Sequence, residues 1–228
     1  MRLILVRHGH PNYEIDCLTE LGHLQAEAAA ERLCSEGIEE IYASASGRAA
    51  ETAEHIGAKL GIPVTKFEFM RETGWGSANG EAIPFNGQPW NTSYAMISSG
   101  EDLMHPEGMD HPLFHNNLLK DNVRRVKDGL DPWLAELGYV REGNYYRVKE
   151  NNPKTIVLAS HAGASSAVLS HLFNLPFPFV CTAIQPNFTA ISVITFKGEP
   201  GNLILPGIEL LNDARHLAGI EIQNVFGQ

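Results

Sequence analysis

The sequence predicts an α/β fold in three layers, a doubly wound mixed or parallel sheet with helices on both of its faces. Short apolar runs typical of strands covered on both faces alternate with segments whose apolar residues recur at helical spacing. This alternation is the pattern of a doubly wound sheet. The 228 residues, 43% of them hydrophobic, are enough for one large domain. We therefore predict a single domain over residues 1–228.

The first third of the chain carries two strand–helix units with recognisable helix ends. Thr19 is a candidate N-cap, and Gly61 followed by Pro63 is typical of a helix end. The predicted elements are a strand over 3–6 that ends near Arg7, a helix from Thr19 to near Gly37, a strand over 40–43, a helix over 49–60 and a strand from Val64.

Residues 74–150 interrupt this alternation. Gly, Pro, Asn and His are abundant over 74–117, which is typical of a lid or a binding loop. A helix over 123–137 and a hairpin over 139–148, turning at Gly143-Asn144, are predicted to follow. We interpret 74–150 as an inserted lid or substrate region.

The core pattern returns after this insertion. "TIVLAS" at 155–160 predicts a buried strand, Ala164, Val168 and Leu172 predict the helix after it, and "AISVITF" at 190–196 predicts the strand that closes the core.

The formal net charge of −10 excludes several classes of partner. It makes binding to nucleic acid or to an anionic membrane improbable, so any anion must be held by a local cluster of Arg and His. The chain shows neither a signal-like start nor an apolar run near the ~20 residues that span a bilayer. We therefore expect a cytoplasmic protein.

Five ionisable residues lie at or near the ends of predicted strands: Arg7, His8, Arg48, Glu72 and His161. Each alone has an ordinary structural explanation, such as a solvated charge at a helix start. Because ligands bind beyond the carboxyl ends of strands in such sheets, we expect all five at one edge. Buried charges need compensation, which an anionic ligand would supply.

Six motifs then follow one another along the chain: "LVRHG", "LTELGHLQAEAAAERL" at 18–33, SxxxRAxxTA at 44–53, "RE" at 71–72, "SHAG" at 160–163 and "NFTAISVITF" at 187–196. In the residues of these motifs and in their order, the chain resembles the histidine phosphatase superfamily, which is also called the phosphoglycerate mutase-like family. The resemblance covers most of the chain outside 74–150. Its members include cofactor-dependent phosphoglycerate mutases and many small-molecule phosphatases.

The resemblance implies phosphoryl transfer through a phosphohistidine. His8 would attack phosphorus with a neutral ring nitrogen, while a carbonyl such as that of Gly9 holds the other nitrogen. Glu72 would protonate the leaving group and then activate water, so burial or a neighbouring carboxylate should raise its pKa.

The phosphate itself would be bound by several donors. Arg7 and Arg48 offer fork-shaped donors that suit phosphate, and a cationic His161 would add another. Backbone N–H groups at the start of the following helix, that of Ala162 included, would complete the site.

Three departures from the family pattern bear on function. His10 stands where Glu or Gln is usual, so His8-x-His10 is also a possible metal pair. Ala162 replaces the Asp of the acid phosphatase branch, which moves the acid role to Glu72. Arg71 precedes Glu72 instead of following it, and no mutase-type middle segment is recognisable, which favours a phosphatase over a mutase.

Metals and cofactors are not expected. Cys17, Cys34 and Cys181 are too few and too far apart for a disulfide framework or a thiolate zinc site. The chain also lacks the GxxxxGK[ST] loop and the Cys-x5-Arg motif of other phosphoryl-transfer enzymes.

Further substrate contacts are predicted from His10, Asn12, Trp75 and His105. Trp75, with Trp90, forms either an apolar wall for the leaving group or part of the core. The loop over 99–115 is a solvated loop, a lid, or a cation site built from His105, Glu107, Asp110, His111 and His115.

Three functions remain open at this level. They are a metal-independent phosphomonoesterase acting on a small phosphorylated metabolite, a mutase that returns the phosphoryl group to its substrate, and a non-catalytic phospho-ligand binder. We expect the first, because nucleophile, acid and phosphate donors are all present.

Overall fold

The computed structural model describes residues 1–105 and 108–220 of the chain. The strands in this part are β1 (Arg2–Arg7), β2 (Pro11–Asn12), β3 (Cys17–Leu18), β4 (Ile38–Ser44), β5 (Val64–Phe67), β6 (Tyr139–Glu142), β7 (Tyr145–Val148), β8 (Thr155–Ser160), β9 (Ile191–Thr195), β10 (Leu203–Ile204) and β11 (Gly207–Asp213). The α-helices are α1 (Glu20–Leu33), α2 (Gly47–Leu60), α3 (Pro89–Ser98), α4 (Leu119–Glu136), α5 (Ala162–Phe173) and α6 (Phe177–Ala183).

A six-stranded sheet in the order β11-β9-β1-β8-β4-β5 forms the middle layer. β1, β8, β4 and β5 run parallel, whereas β9 pairs antiparallel with both β1 and β11. The predicted mixed α/β sheet is confirmed.

The two faces of the sheet are covered by different helices because successive residues of a strand point to opposite sides. Leu3 and Leu5 of β1 belong to the core cluster that includes α4 and α5. Ile4 and Val6 belong to the cluster that includes α1 and α2. This double burial explains why β1 is continuously apolar in sequence.

The helix ends follow the chemistry expected of them. Thr19 accepts a hydrogen bond from the N–H of Gly22 over 3.1 Å and caps α1, although this helix ends at Leu33, before Gly37. Gly61 ends α2 with a φ of 70°, in the left-handed region that favours glycine.

Six of these strands and helices were not predicted: β2, β3, β10, β11, α3 and α6. β9 does not close the sheet, because β11 lies beyond it as an edge strand. Most of β11 is exposed and its register shifts twice, so it lacks the continuous apolar run of a buried strand. The others, α3, α6 and the two-residue strands β2, β3 and β10, are polar or too short to show a clear period.

The segment interpreted as an insertion contains the predicted helix and hairpin, as α4 and the β6–β7 pair. Residues of both belong to the main core cluster, so 119–148 is an integral part of the domain. Residues 74–118 hold α3 and short 3-10 turns, and their role as a lid stays a prediction.

The register of the parallel strands sets the position of the site. Arg7 lies opposite Ser160, and Ala43 lies opposite Ala159, so the residues that follow β1, β8 and β4 share one sheet edge. Gly9 allows the first loop to approach α1, because a Cβ there would lie 2.5 Å from the carbonyl oxygen of Gly22. Within residues 1–105 and 108–220, every helix is too short or too polar to cross a bilayer.

Candidate active site

His8 follows β1 and is only 1% exposed. Its Nδ1 lies 2.7 Å from the carbonyl oxygen of Gly9, which can only accept, so Nδ1 carries the ring proton. Burial, aided by the charges of Arg7 and Arg48, holds the pKa of His8 well below its usual range. The ring is therefore neutral, and Nε2 has the lone pair that a nucleophile needs.

Two guanidinium groups flank this ring. Arg7 donates from Nη1 to the carbonyl oxygen of Pro186 over 2.7 Å, and its Cζ lies 4.2 Å from the ring centroid of Phe188. Arg48, in the first turn of α2, donates its Nε–H to Nε2 of His8 over 3.2 Å. The two arginines thus bring planar, permanently charged donors to one point.

His161 caps α5 and lies against His8, with 5.2 Å between the ring centroids. It is fully buried, and burial, with the charges of Arg48 and Arg7, holds its pKa well below the usual range. In the protein alone, desolvation among arginines favours the neutral imidazole, and a cationic His161 with phosphate bound stays a prediction.

Ser44 determines which nitrogen of neutral His161 carries the proton. Its Oγ accepts the N–H of Ser46 at 3.2 Å and lies 2.9 Å from Nε2 of His161. Among the described residues, that nitrogen is the acceptor available to the Ser44 hydroxyl proton, from which we infer that Nε2 accepts and Nδ1 carries the hydrogen. Nδ1 is buried and has no hydrogen-bond partner in the described part of the chain. His161 is thus a neutral donor with one N–H available.

Glu72 lies after β5 and reaches the N-terminus of α5. Its Oε1 accepts the N–H groups of Thr73 at 2.8 Å and Ala164 at 2.9 Å, while Oε2 has the N–H of Gly163 at 3.5 Å. N–H donors therefore surround the carboxylate. Oε2, the less engaged oxygen, is the one able to carry a proton.

Two of the helix N–H groups assigned to phosphate are therefore used by Glu72. The N–H of Ala162, the first residue of α5, has no recorded partner among residues 1–105 and 108–220. It remains as the helix-terminal donor for an anion.

Arg125 of α4 fixes the backbone that carries Glu72. Its Nη2 donates to the carbonyl oxygens of Arg71, at 2.6 Å, and Glu72, at 3.1 Å. The position of the acidic side chain therefore depends on a helix from the middle segment, which sequence reasoning did not connect to the site.

The turn between β2 and β3 contributes two more residues that were not predicted. The carboxylate of Asp16, a residue with φ 53°, forms an ion pair with Arg48 and accepts the N–H of Gly47 over 2.8 Å. The Tyr13 ring centroid lies 5.3 Å from Cζ of Arg48, and Tyr13 is 60% exposed. Asp is compatible with positive φ and with a helix N-terminus, but no local pattern shows that this turn packs on α2.

The predicted substrate contacts near β2 have structural partners. Nδ1 of His10 lies 2.9 Å from Oγ1 of Thr19, and its ring packs on Phe188 at 5.4 Å between centroids. Asn12 accepts the N–H of Glu14 within the turn. Roles for His10 and Asn12 in substrate binding stay predictions.

Trp75 and His105, the contacts predicted from the middle segment, have other neighbours in the structure, and their roles in substrate binding stay predictions. Trp75 packs edge-to-face on Trp90, 5.0 Å away, at the border of the main core. His105 is exposed in a separate cavity of about 400 Å³ beside Glu101 and His111. Glu107 lies outside the described residues. Among the described residues, no three His, Cys, Asp or Glu side chains are grouped so that they could hold a metal ion.

The fold and this arrangement of two histidines, two arginines and a glutamate define a class of protein. The sequence profile of the histidine phosphatase superfamily (branch 1) matches residues 3–208, and the chain belongs to this superfamily.

Individual relatives agree with this membership. The chain is 31% identical over 189 residues to the 2,3-bisphosphoglycerate-dependent phosphoglycerate mutase of Brucella canis, covering 76% of this chain and 82% of that protein. A mycobacterial glucosyl-3-phosphoglycerate phosphatase with inorganic phosphate has a similar fold, with a TM-score of 0.64, 22% identity and coverage of 94% and 98% of the two chains. Phosphoserine phosphatase of Entamoeba histolytica gives a TM-score of 0.62, 22% identity and coverage of 95% and 98%.

Proposed function

We propose that this protein is a metal-independent phosphomonoesterase that hydrolyses a small phosphorylated metabolite through a phosphohistidine on His8. The observation that carries the proposal is the buried, neutral ring of His8, whose Nδ1–H is held by Gly9 and whose Nε2 faces the guanidinium of Arg48. The phosphatases among the structural neighbours support hydrolysis.

In the first step Nε2 of His8 forms a bond to phosphorus as the ester P–O bond breaks. The phosphoryl group takes the place of the Arg48 contact with Nε2, and Arg48 then binds an equatorial oxygen together with Arg7. The Nδ1–H of His161 and the N–H of Ala162 complete the set of donors. Such preorganised donors stabilise the charge that spreads over the equatorial oxygens.

Proton transfer is assigned to Oε2 of Glu72. The protonated carboxyl gives its proton to the leaving oxygen, and the resulting carboxylate then takes a proton from water. The water oxygen bonds to phosphorus as the bond to Nε2 breaks, which releases inorganic phosphate and restores His8.

The test of this proposal is hydrolysis of p-nitrophenyl phosphate by the wild type and by His8→Ala. Turnover and an acid-labile, base-stable radiolabel should be present in the wild type and lost in the variant. His23→Gln, a change of a half-buried histidine of α1 that contacts His55, should retain both. Near wild-type turnover in His8→Ala would overturn the assignment of the nucleophile. Phosphate binding without turnover in the wild type would favour the non-catalytic binder.

Chelation tests the metal-independent part of the proposal. We expect EDTA to leave hydrolysis intact, because two guanidinium groups and two neutral N–H donors provide the charge stabilisation. Loss of activity that an added divalent metal restores would contradict this.

A mutase is the second candidate, favoured by the 31% identity to a phosphoglycerate mutase. The two activities differ in the acceptor of the phosphoryl group, which is water or a second hydroxyl. Assays with labelled substrate, with and without added phosphoglycerate, separate them. We expect release of inorganic phosphate, whereas transfer of most of the label to phosphoglycerate would establish the mutase.

A further inference from the structure

A cavity of about 790 Å³ lies away from the catalytic residues. It is lined by α4, the C-terminal part of α5, the β6–β7 turn and residues 108–110. Arg7, His8, Arg48, Glu72 and His161 do not border it. Its volume is in the range of small-molecule sites.

Lys127 of α4 lies in the wall of this cavity with an uncompensated charge. Its side chain is partly buried and forms no ion pair or hydrogen bond with any residue in 1–105 or 108–220. Burial, together with the nearby charge of Arg141, lowers its pKa. By contrast, the other described lysines are exposed, or ion-paired like Lys154 with Glu40. A cation taken from water without a counter-charge is costly.

The neighbouring cation, Arg141, also lacks a carboxylate partner within the described residues. Its guanidinium is fixed by hydrogen bonds to neutral acceptors, namely the carbonyl oxygens of Gly143 and His171, the hydroxyl of Tyr146 and the amide oxygen of Asn174. These bonds hold the group in one orientation without cancelling its charge.

Among the described residues, the carboxylates around the cavity form no ion pair with Lys127 or Arg141. Asp110 forms an ion pair with Lys120, and Asp131 binds His171 at 2.8 Å. Asp128 is exposed to solvent. Lys127 and Arg141 therefore form a positive pair on one wall, and Met109, Val123 and Phe177 line the same cavity with apolar surface.

We propose that this cavity binds a small organic anion, whose oxyanion group lies between Lys127 and Arg141 and whose body packs on the apolar lining. A carboxylate or a phosphate would suit this site, since each offers several acceptor oxygens to the ammonium of Lys127 and the guanidinium of Arg141. The site is independent of the phosphate site at His8.

The test uses pyridoxal 5′-phosphate, an aldehyde that carries an anionic group. Its aldehyde carbon forms an imine with unprotonated Nζ and releases water, and borohydride reduces the imine to a stable amine that peptide mass spectrometry locates. We expect Lys127 to be labelled about tenfold faster than Lys120, which lines the same cavity but is exposed and paired with Asp110. Inorganic phosphate and succinate are then added as competitors, and the one that slows labelling identifies the preferred oxyanion.

The variant Lys127→Met should lose this label and keep full hydrolysis of p-nitrophenyl phosphate, which separates this site from the catalytic one. Two results would overturn the proposal: labelling of Lys127 no faster than that of Lys120, or labelling that neither phosphate nor succinate slows.

Discussion

The Nε–H of Arg48 points at Nε2 of His8 over 3.2 Å, so the arginine contacts the atom that we propose as the nucleophile. Arg48 is in turn ion-paired with Asp16. A phosphate ester that reaches Nε2 must therefore displace the contact between Arg48 and His8. It must also share the positive charge of Arg48 with the carboxylate of Asp16.

Arg48→Ala should lower kcat/KM for p-nitrophenyl phosphate by about 10²–10³-fold, because charge stabilisation dominates phosphoryl transfer. Arg48→Lys should recover little of this, since an ammonium cannot reproduce the planar fork. The comparison needs kcat/KM and vanadate inhibition for both variants. Unchanged vanadate inhibition in Arg48→Ala would remove Arg48 from the phosphate site.

Asp16→Asn should tighten vanadate inhibition about two- to fivefold. The amide keeps hydrogen-bonding capacity towards Gly47 and Arg48 but removes a negative charge that competes with the ligand, and a partly exposed ion pair is worth less than about 1 kcal/mol. Glu14→Gln, in the same turn, is the matched control because Glu14 is exposed. Weaker inhibition in Asp16→Asn would show that Asp16 mainly positions Arg48.

Ser44→Ala should lower kcat/KM by up to about tenfold, the effect of one hydrogen bond. Without the hydroxyl donor, His161 is free to carry its proton on Nε2 and to lose the Nδ1–H donor. Nitrogen NMR of the His161 ring reports the tautomer directly: Nδ1–H in the wild type and a mixture in the variant. Ser166→Ala removes a hydroxyl bonded to the backbone of α5 and serves as the control. An Nε2–H tautomer in the wild type would contradict the assignment.

Glu72→Gln should cost about 10²–10⁴-fold in kcat/KM with an alkyl phosphate and much less with p-nitrophenyl phosphate. An alkoxide needs a proton as it leaves, whereas p-nitrophenolate departs without one. The comparison is made on kcat/KM, because breakdown of the phosphohistidine can limit kcat for both substrates. Equal losses with both substrates would indicate a positioning role for Glu72.

Stability should fall as the pH is lowered through about 6.5. Burial holds the pKa values of His8 and His161 below their usual range, so below that pH the unfolded chain binds protons that the folded chain does not. Each ring then contributes a slope of up to about 1.4 kcal/mol per pH unit. Urea unfolding from about pH 8 to 5 measures the slope, and His161→Asn should reduce it. An unchanged slope in that variant would show that folding does not lower the pKa of His161.

The sequence predicts those parts of the fold and of the site that depend on residues close together along the chain. β1 and β8 are covered on both faces, so continuous apolar runs mark them. Arg7 and His8 stand at the end of one such run, His161 directly follows another, and Arg48 lies at a helix start.

The parts that it does not predict depend on contacts between distant segments. Asp16 meets Arg48 only because a two-residue strand pair packs its turn against α2, and the donors around Glu72 come from α5. The edge strand β11 is missed because one side of it faces solvent, so it has no continuous apolar run.

The hydrogen bonds from Arg125 to the carbonyl oxygens of Arg71 and Glu72 restrict how substrate preference can be redesigned. A chimera that grafts the middle region of a relative onto this chain would replace α4, and Arg125 would be lost with this helix. The loop that carries Glu72 would then lose its hydrogen bonds to Arg125, even if Arg7, His8, Arg48 and His161 were all retained. A graft that preserves catalysis must therefore include the relative's loop in place of 68–73 together with its helix in place of α4. The glutamate loop and the helix that holds its backbone would then come from the same protein.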